Sequence, residues 1–223
     1  MRTNQEYKNA SLAALKGNWP QAVLATFILL LLTAISESSE YIQGNTILVV
    51  SLGVCVFALP VIVGYVNAFN RLYFQSDRAL LDNMSSMTFK SYFRSLATMF
   101  LMILIVSVLT LLLIVPGVIA NMALYLTPYI LKDNPELSIL DTLRLSRKMM
   151  QGHKKRLFYL QLSFFGWALL SVLTLGVGML WLLPYMMTAM AAFYQDVREQ
   201  YIMKEGQQES ALQSPDIQDQ GLE

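Results

Sequence analysis

The chain has 223 residues, of which 55% are hydrophobic and only 14% charged, and its formal net charge is +1. Ordinary soluble domains carry roughly 25% charged residues, so the composition excludes a soluble globular domain and points to a polytopic membrane protein. The single cysteine, Cys55 in an apolar run, excludes an internal disulfide and a cysteine metal cluster.

All sixteen Lys and Arg residues fall in four polar stretches: Arg2 to Lys16, Arg71 to Arg94, Lys132 to Arg156, and Arg198 with Lys204. Three apolar blocks, about 19–70, 95–131 and 157–195, separate them, each long enough for two crossings of a hydrocarbon layer about 30 Å thick. Basic loops are retained in the cytoplasm, so the expected topology is three hairpins whose tips face outward, with both termini inside. Net charge is +2 in segment 1–18, +2 in 71–95 and +4 in 132–156, against −5 from Asp196 onward. Basic residues near an anionic membrane surface each contribute about 1 kcal/mol of attraction.

In chain order, Thr3 and Glu6 have capping-box spacing before a short helix along the inner surface, and Gly17-Asn18 turns the chain into the bilayer. Helix 1 is expected from about Trp19 to Ile35, with Pro20 in its first turn. At 17 residues this run exceeds the length of a signal-peptide core, so it is read as an uncleaved span. A tip at Ser36–Thr46 precedes helix 2, about Ile47 to Asn70, with Pro60 inside it. A turn and an interfacial helix led by Phe89, Tyr92 and Phe93 lead to helix 3, about Leu96 to Val115. Pro116-Gly117 reads as an outer turn, and helix 4, about Val118 to Leu131, is interrupted by Pro128-Tyr129. Asn134-Pro135-Glu136 reads as the start of an amphipathic inner-leaflet helix reaching Met150. Helix 5 spans about Leu157 to Thr174, Leu175–Gly178 turns, and helix 6 spans about Met179 to Val197 through Pro184-Tyr185. The acidic, Gln-rich segment 199–223 is expected to be disordered, outside a membrane domain at 1–198.

Ser107–Thr110 recurs as Ser171–Thr174, each followed by a turn and a Pro-Tyr pair. The echo fits three copies of one hairpin unit; chance reuse of Leu, Val and Gly is the alternative.

The six expected spans hold no Asp, Glu, Lys, Arg or His before Asp196, which argues against proton pumping or voltage sensing. The carboxylate pairs Glu37/Glu40, Asp77/Asp82 and Asp133/Glu136 lie on polar segments, and His153 stands alone in a basic loop. No phosphate-loop or paired-histidine motif is present. No enzymatic activity, cofactor or metal is therefore expected, and the basic residues follow topology too closely to argue nucleic-acid binding. Two residue sets remain. Arg144, Arg147, Lys148, Lys154, Lys155 and Arg156 are candidate contacts for anionic lipid headgroups. Pro60, Pro128, Tyr129, Pro184 and Tyr185 mark helix breaks where a ligand would find freed backbone groups.

Ser146–Phe158, Leu160–Trp167, Trp181–Tyr185 and Phe193-Tyr194 resemble the bacterial integral membrane family designated domain of unknown function 975. Leu15–Trp19, Pro116-Gly117 and Leu131–Pro135 are similar to its pattern as well. The resemblance implies a bacterial cytoplasmic membrane protein. The expectation is an all-α bundle that scaffolds partners or handles a lipid or amphiphile; a small permease or channel for an uncharged or amphiphilic solute is the alternative. Its expected partners are anionic inner-leaflet lipids, with a membrane-protein partner or a second copy of the chain as further candidates.

Overall fold

The computed structural model describes residues 2–38, 46–75, 80–81 and 89–212, and among these it is helical without a strand. The order is α1 (Asn4–Leu15), α2 (Trp19–Ser38), α3 (Thr46–Gln75), α4 (Phe89–Leu112), α5 (Ile114–Leu124), α6 (Thr127–Asp133), α7 (Ile139–Met149), α8 (Lys154–Leu162), α9 (Phe165–Leu173) and α10 (Met179–Leu212). Three helical runs, Ser91–Leu112, Ile114–Asp133 and Lys154–Leu173, are long and apolar enough to cross a membrane, and Trp19–Leu31 is a shorter apolar helix.

The start of the chain follows its sequence signals. The Thr3 hydroxyl accepts from the Glu6 amide while the Glu6 carboxylate accepts from the Thr3 amide, completing the capping box of α1. Gly17, at φ +84, makes the left-handed turn into α2.

Several boundaries differ from expectation. The interfacial helix and helix 3 form one rod, α4, because Phe89–Leu112 contains neither proline nor glycine to break it. The reversal after α4 falls at Leu113, in extended backbone, three residues before Pro116. Pro116 sits in the first turn of α5, where a missing N–H costs nothing. Gly117 instead permits close packing: a Cβ there would stand 2.6 Å from the Thr110 Cα on α4. Gly178 meets Ser171 the same way, at 2.9 Å. Both contacts pair a hydroxyl residue with a glycine seven positions later, although they fall at different places in the echoed Ser-Val-Leu-Thr motif.

Asn134 does not start a helix; its backbone and side-chain N–H groups donate to the Ile130 carbonyl and close α6. Ser138 caps α7, accepting from the Asp141 amide. The expected break in helix 4 is real and falls at Tyr125-Leu126, with Pro128 in the first turn of α6. A second break, unexpected, separates α8 from α9 at Ser163-Phe164. At the far end α10 continues as helix to Leu212, well beyond the expected boundary at 198, because Glu, Gln, Met, Lys and Ala in this stretch are good helix formers. The rest of the expected tail, like the helix 1–2 tip at 39–45 and the pair Asp77/Asp82, lies outside the described residues.

The core gathers around α10, which packs on α1, α2, α3, α7 and α9. Ala189, Ala191 and Ala192 are buried along it, and their small side chains let neighbouring helices approach closely. Tyr7, Leu126, Tyr129, Met150, Leu157 and Phe164 close round its middle, while Leu15, Ala22, Tyr65, Phe69 and Leu72 form a second cluster between α1, α2 and α3.

The glycine contact yields a paired test. Gly117→Ala forces α4 and α5 apart and should destabilise the protein by about 1–3 kcal/mol, the usual cost of overpacking. Gly166→Ala, where an added Cβ meets nothing within 4 Å, should be neutral or stabilising by about 0.5–1 kcal/mol. Thermal unfolding in detergent measures both; equal unfolding temperatures would contradict the packing assignment.

Candidate functional site

The polar centre of the fold is a three-residue knot. Arg156 lies in the first turn of α8, and its guanidinium donates to the Asp196 carboxylate of α10 at 2.6 Å. The Tyr7 hydroxyl from α1 donates to the same carboxylate oxygen at 2.5 Å and accepts from Arg156 at 2.5 Å. Arg156 also donates to the Arg2 carbonyl at 3.3 Å and reaches the His153 Nδ1 at 3.1 Å. Its guanidinium sits 5.7 Å from the Phe193 ring centroid. Burial pushes the Tyr7 hydroxyl well above its ordinary range, and its donation to Asp196 adds to the effect, so it remains a donor. His153 is held below its usual 6.5, first by burial and then by the positive Arg156 and Lys204, with Asp196 opposing.

Arg156 is thus committed to internal bonds, and the six cations expected to meet lipid headgroups separate by role. Arg144, Arg147, Lys148 and Lys155 are exposed. Arg144 pairs with Asp141 at 3.2 Å, an exposed pair at one turn's spacing whose net worth is small. Arg147, Arg144 and the half-buried Lys154 line a groove of about 480 Å³ between α4, α5, α7 and α8. Ile105, Leu109, Ile119, Ala120, Leu140 and Leu143 make its wall apolar. The Ser146 hydroxyl donates to the Ala123 carbonyl at 3.1 Å and fixes α7 against α5 beneath this groove. Lys148 faces a separate polar cleft with His153, Tyr201 and Lys204.

The described helix-break residues sit in different surroundings. Pro60 lies within α3. Pro128 starts α6, and Tyr129 is buried, stacked on Tyr194 with centroids 4.9 Å apart. Pro184 lies inside α10, and the Thr188 hydroxyl donates to its carbonyl at 2.8 Å. Tyr185 packs edge-on to Phe164 and lines an apolar groove of about 400 Å³ with Trp19, Trp167 and Trp181. At the unexpected break, Lys8 of α1 donates to the Ser163 carbonyl at 2.9 Å and lies 4.6 Å from the Phe164 ring. A cation at a helix C-terminus supplies the freed carbonyl with a donor and faces the favourable end of the dipole. The hydroxyls of Thr110, Thr127, Ser163, Ser171 and Thr188 each donate to a carbonyl three or four residues back.

The family model described as Protein of unknown function (DUF975) matches residues 46–201, more than two thirds of the chain. The chain belongs to this family. No curated protein and no solved structure matches it. The DUF975 match includes every wall of the groove lined by Arg144, Arg147 and Lys154, together with Arg156 and Asp196, whereas α1 and Tyr7 lie before it. The knot therefore joins the matched region to the segment that precedes it.

Two tests follow from the knot. Arg156→Gln should destabilise the fold by about 3 kcal/mol, the low end for breaking a buried pair, because Asp196 keeps its charge without its cationic partner. Replacing both partners, Arg156→Met with Asp196→Leu, should recover part of that loss, and an additive double variant would deny the coupling. In the unfolded chain His153 takes up a proton at higher pH than in the folded one. Its contribution to stability is therefore complete above about pH 6.5 and is lost as pH falls through the lowered folded pKa. Unfolding temperature should decline with acidification in that window, and His153→Gln should flatten the decline.

Proposed function

We propose that this DUF975 protein is a non-enzymatic protein of the bacterial cytoplasmic membrane that binds an anionic amphiphile in the groove between α4, α5, α7 and α8. The observation that carries the reading is a groove lined by apolar side chains together with three cations, Arg144, Arg147 and Lys154. An acyl chain matches the apolar side chains by the hydrophobic effect, and an acidic headgroup matches the cations. A volume of about 480 Å³ falls in the range of small-molecule sites. Water excluded from the apolar wall strengthens the attraction to the cations. The amphipathic α7, with Thr142, Leu143, Ser146 and Met149 buried and its basic residues outward, suits a position at a membrane surface.

In the proposed topology the chain crosses six times as three hairpins, with both termini and all basic stretches in the cytoplasm. The exposed apolar run Leu111–Val115, at 66–89% exposure, supports a lipid surroundings for the α4–α5 turn. Single cysteines in a Cys55→Ser background test the arrangement. Ser39→Cys and Gln43→Cys should react with an impermeant thiol reagent from outside, while Ser86→Cys, Gln151→Cys and Gln213→Cys should react only after the membrane is opened. Outside labelling at any of the last three would refute six crossings.

The groove is tested in full-length protein reconstituted in nanodiscs containing phosphatidylglycerol or only phosphatidylcholine. Arg144→Gln, Arg147→Gln and Lys154→Gln should each weaken the preference for the anionic lipid about fivefold, equivalent to about 1 kcal/mol per residue. Lys148→Gln, which lies outside the groove, serves as the control. An unchanged preference in the triple variant would remove the proposal.

A further inference from the structure

A second cavity, away from that groove, opens at the end of the bundle where α3, α6 and α10 meet. It has a volume of about 330 Å³, and Arg71, Lys132 and Arg198 line it with Asn67, Asn70 and Asp133. Its polar groups are partly engaged with one another. The Gln195 amide donates to the Asn70 side-chain oxygen at 2.9 Å. Asp133 accepts from the Tyr194 hydroxyl at 2.7 Å and faces Arg198 at 3.9 Å. Among the described lining residues Asp133 is the one carboxylate, and it is shared between Tyr194 and Arg198, beside a space large enough for a small ligand.

Two groups remain unmet. Asn67 is 3% exposed, yet its side-chain N–H₂ has no partner. Buried amide donors are nearly always paired, because leaving one unmet is costly. Lys132 is half-buried and, among the described residues, makes no hydrogen bond or ion pair. An amide donor, an ammonium and guanidinium groups thus converge from three different helices. We infer that this cavity binds a phosphate monoester, whose tetrahedral, doubly charged group offers several acceptors to donors arriving from several directions. Arginine forks and the lysine point charge suit phosphate oxygens, and the volume beyond the phosphate accommodates the organic part. The inference is independent of the amphiphile groove, which is built from α4, α5, α7 and α8.

The same chemistry is available from a soluble phosphate ester or from a phosphatidate headgroup, and the two are separable. Full-length protein in neutral detergent is titrated with inorganic phosphate and with glycerol 3-phosphate, using chloride at matched ionic strength as the reference. In parallel, protein in phosphatidylcholine nanodiscs with and without phosphatidate is unfolded thermally. A hundredfold excess of ligand over Kd should raise the unfolding temperature by about 5–10 °C. Lys132→Gln and Asn67→Leu should each abolish the rise; Asn67→Leu removes the unmet donor without emptying the space, so it tests the site if Lys132→Gln folds poorly. The Arg144→Gln, Arg147→Gln, Lys154→Gln triple variant should keep the rise, which separates this site from the groove. A response to the soluble ligands identifies a soluble source, and a response confined to phosphatidate identifies the lipid. No response to any of the three, or responses unaffected by both Lys132→Gln and Asn67→Leu, would overturn the assignment.

Discussion

The ion pair between Arg156 and Asp196, completed by the Tyr7 hydroxyl, is the constraint around which the rest of the fold is arranged. An arginine and a carboxylate with side chains only 21% and 11% exposed are costly to bury unless each meets the other and their remaining hydrogen-bonding groups are also met. Here the remaining partners come from Tyr7, His153 and the Arg2 carbonyl. Tyr7 lies 189 positions before Asp196, so one bond closes nearly the whole chain on itself. With α1 held against α10, Lys8 of α1 is placed to supply the Ser163 carbonyl at the break between α8 and α9. That donor accounts for a break that contains no proline.

The same economy divides the basic stretch 132–156. Arg156 is used up in structure, Lys132 lines the polar cavity, and Arg144, Arg147 and Lys154 line the apolar groove. A charge run that looks uniform in sequence is distributed by helix phase and by the position of α7 against α5. The Ser146 bond to the Ala123 carbonyl sets that position. Under the proposed topology the cations of both sites lie at the cytoplasmic side.

Much of the fold was legible because it depends on local rules. The capping box at Thr3 and Glu6, the glycine turn at Gly17, the turn at Leu175–Gly178 and the break before Pro128 all follow from residues within a few positions of the event. Local rules misled where two signals competed. Asn134-Pro135 has the form of a helix start, yet Asn134 finds the Ile130 carbonyl first, and Ser138 has a better capping partner in Asp141. Pro116-Gly117 has the form of a turn, but glycine serves there to admit Thr110 from the facing helix. The break at Ser163-Phe164 carries no local signal because its stabilising donor is Lys8, 155 residues away.

The sequence by itself determined the helical class, the apolar runs, the segregation of basic charge and most helix ends, since hydrophobic periodicity, charge and capping act over one or two turns. Only the tertiary structure decided which cations are consumed and which remain available, because pairing depends on residues far apart in the chain. Asn67 shows the difference. Its sequence context marks it as one more polar residue in an apolar helix, and only the packing of α3 against α6 and α10 buries its amide beside Lys132 without a partner.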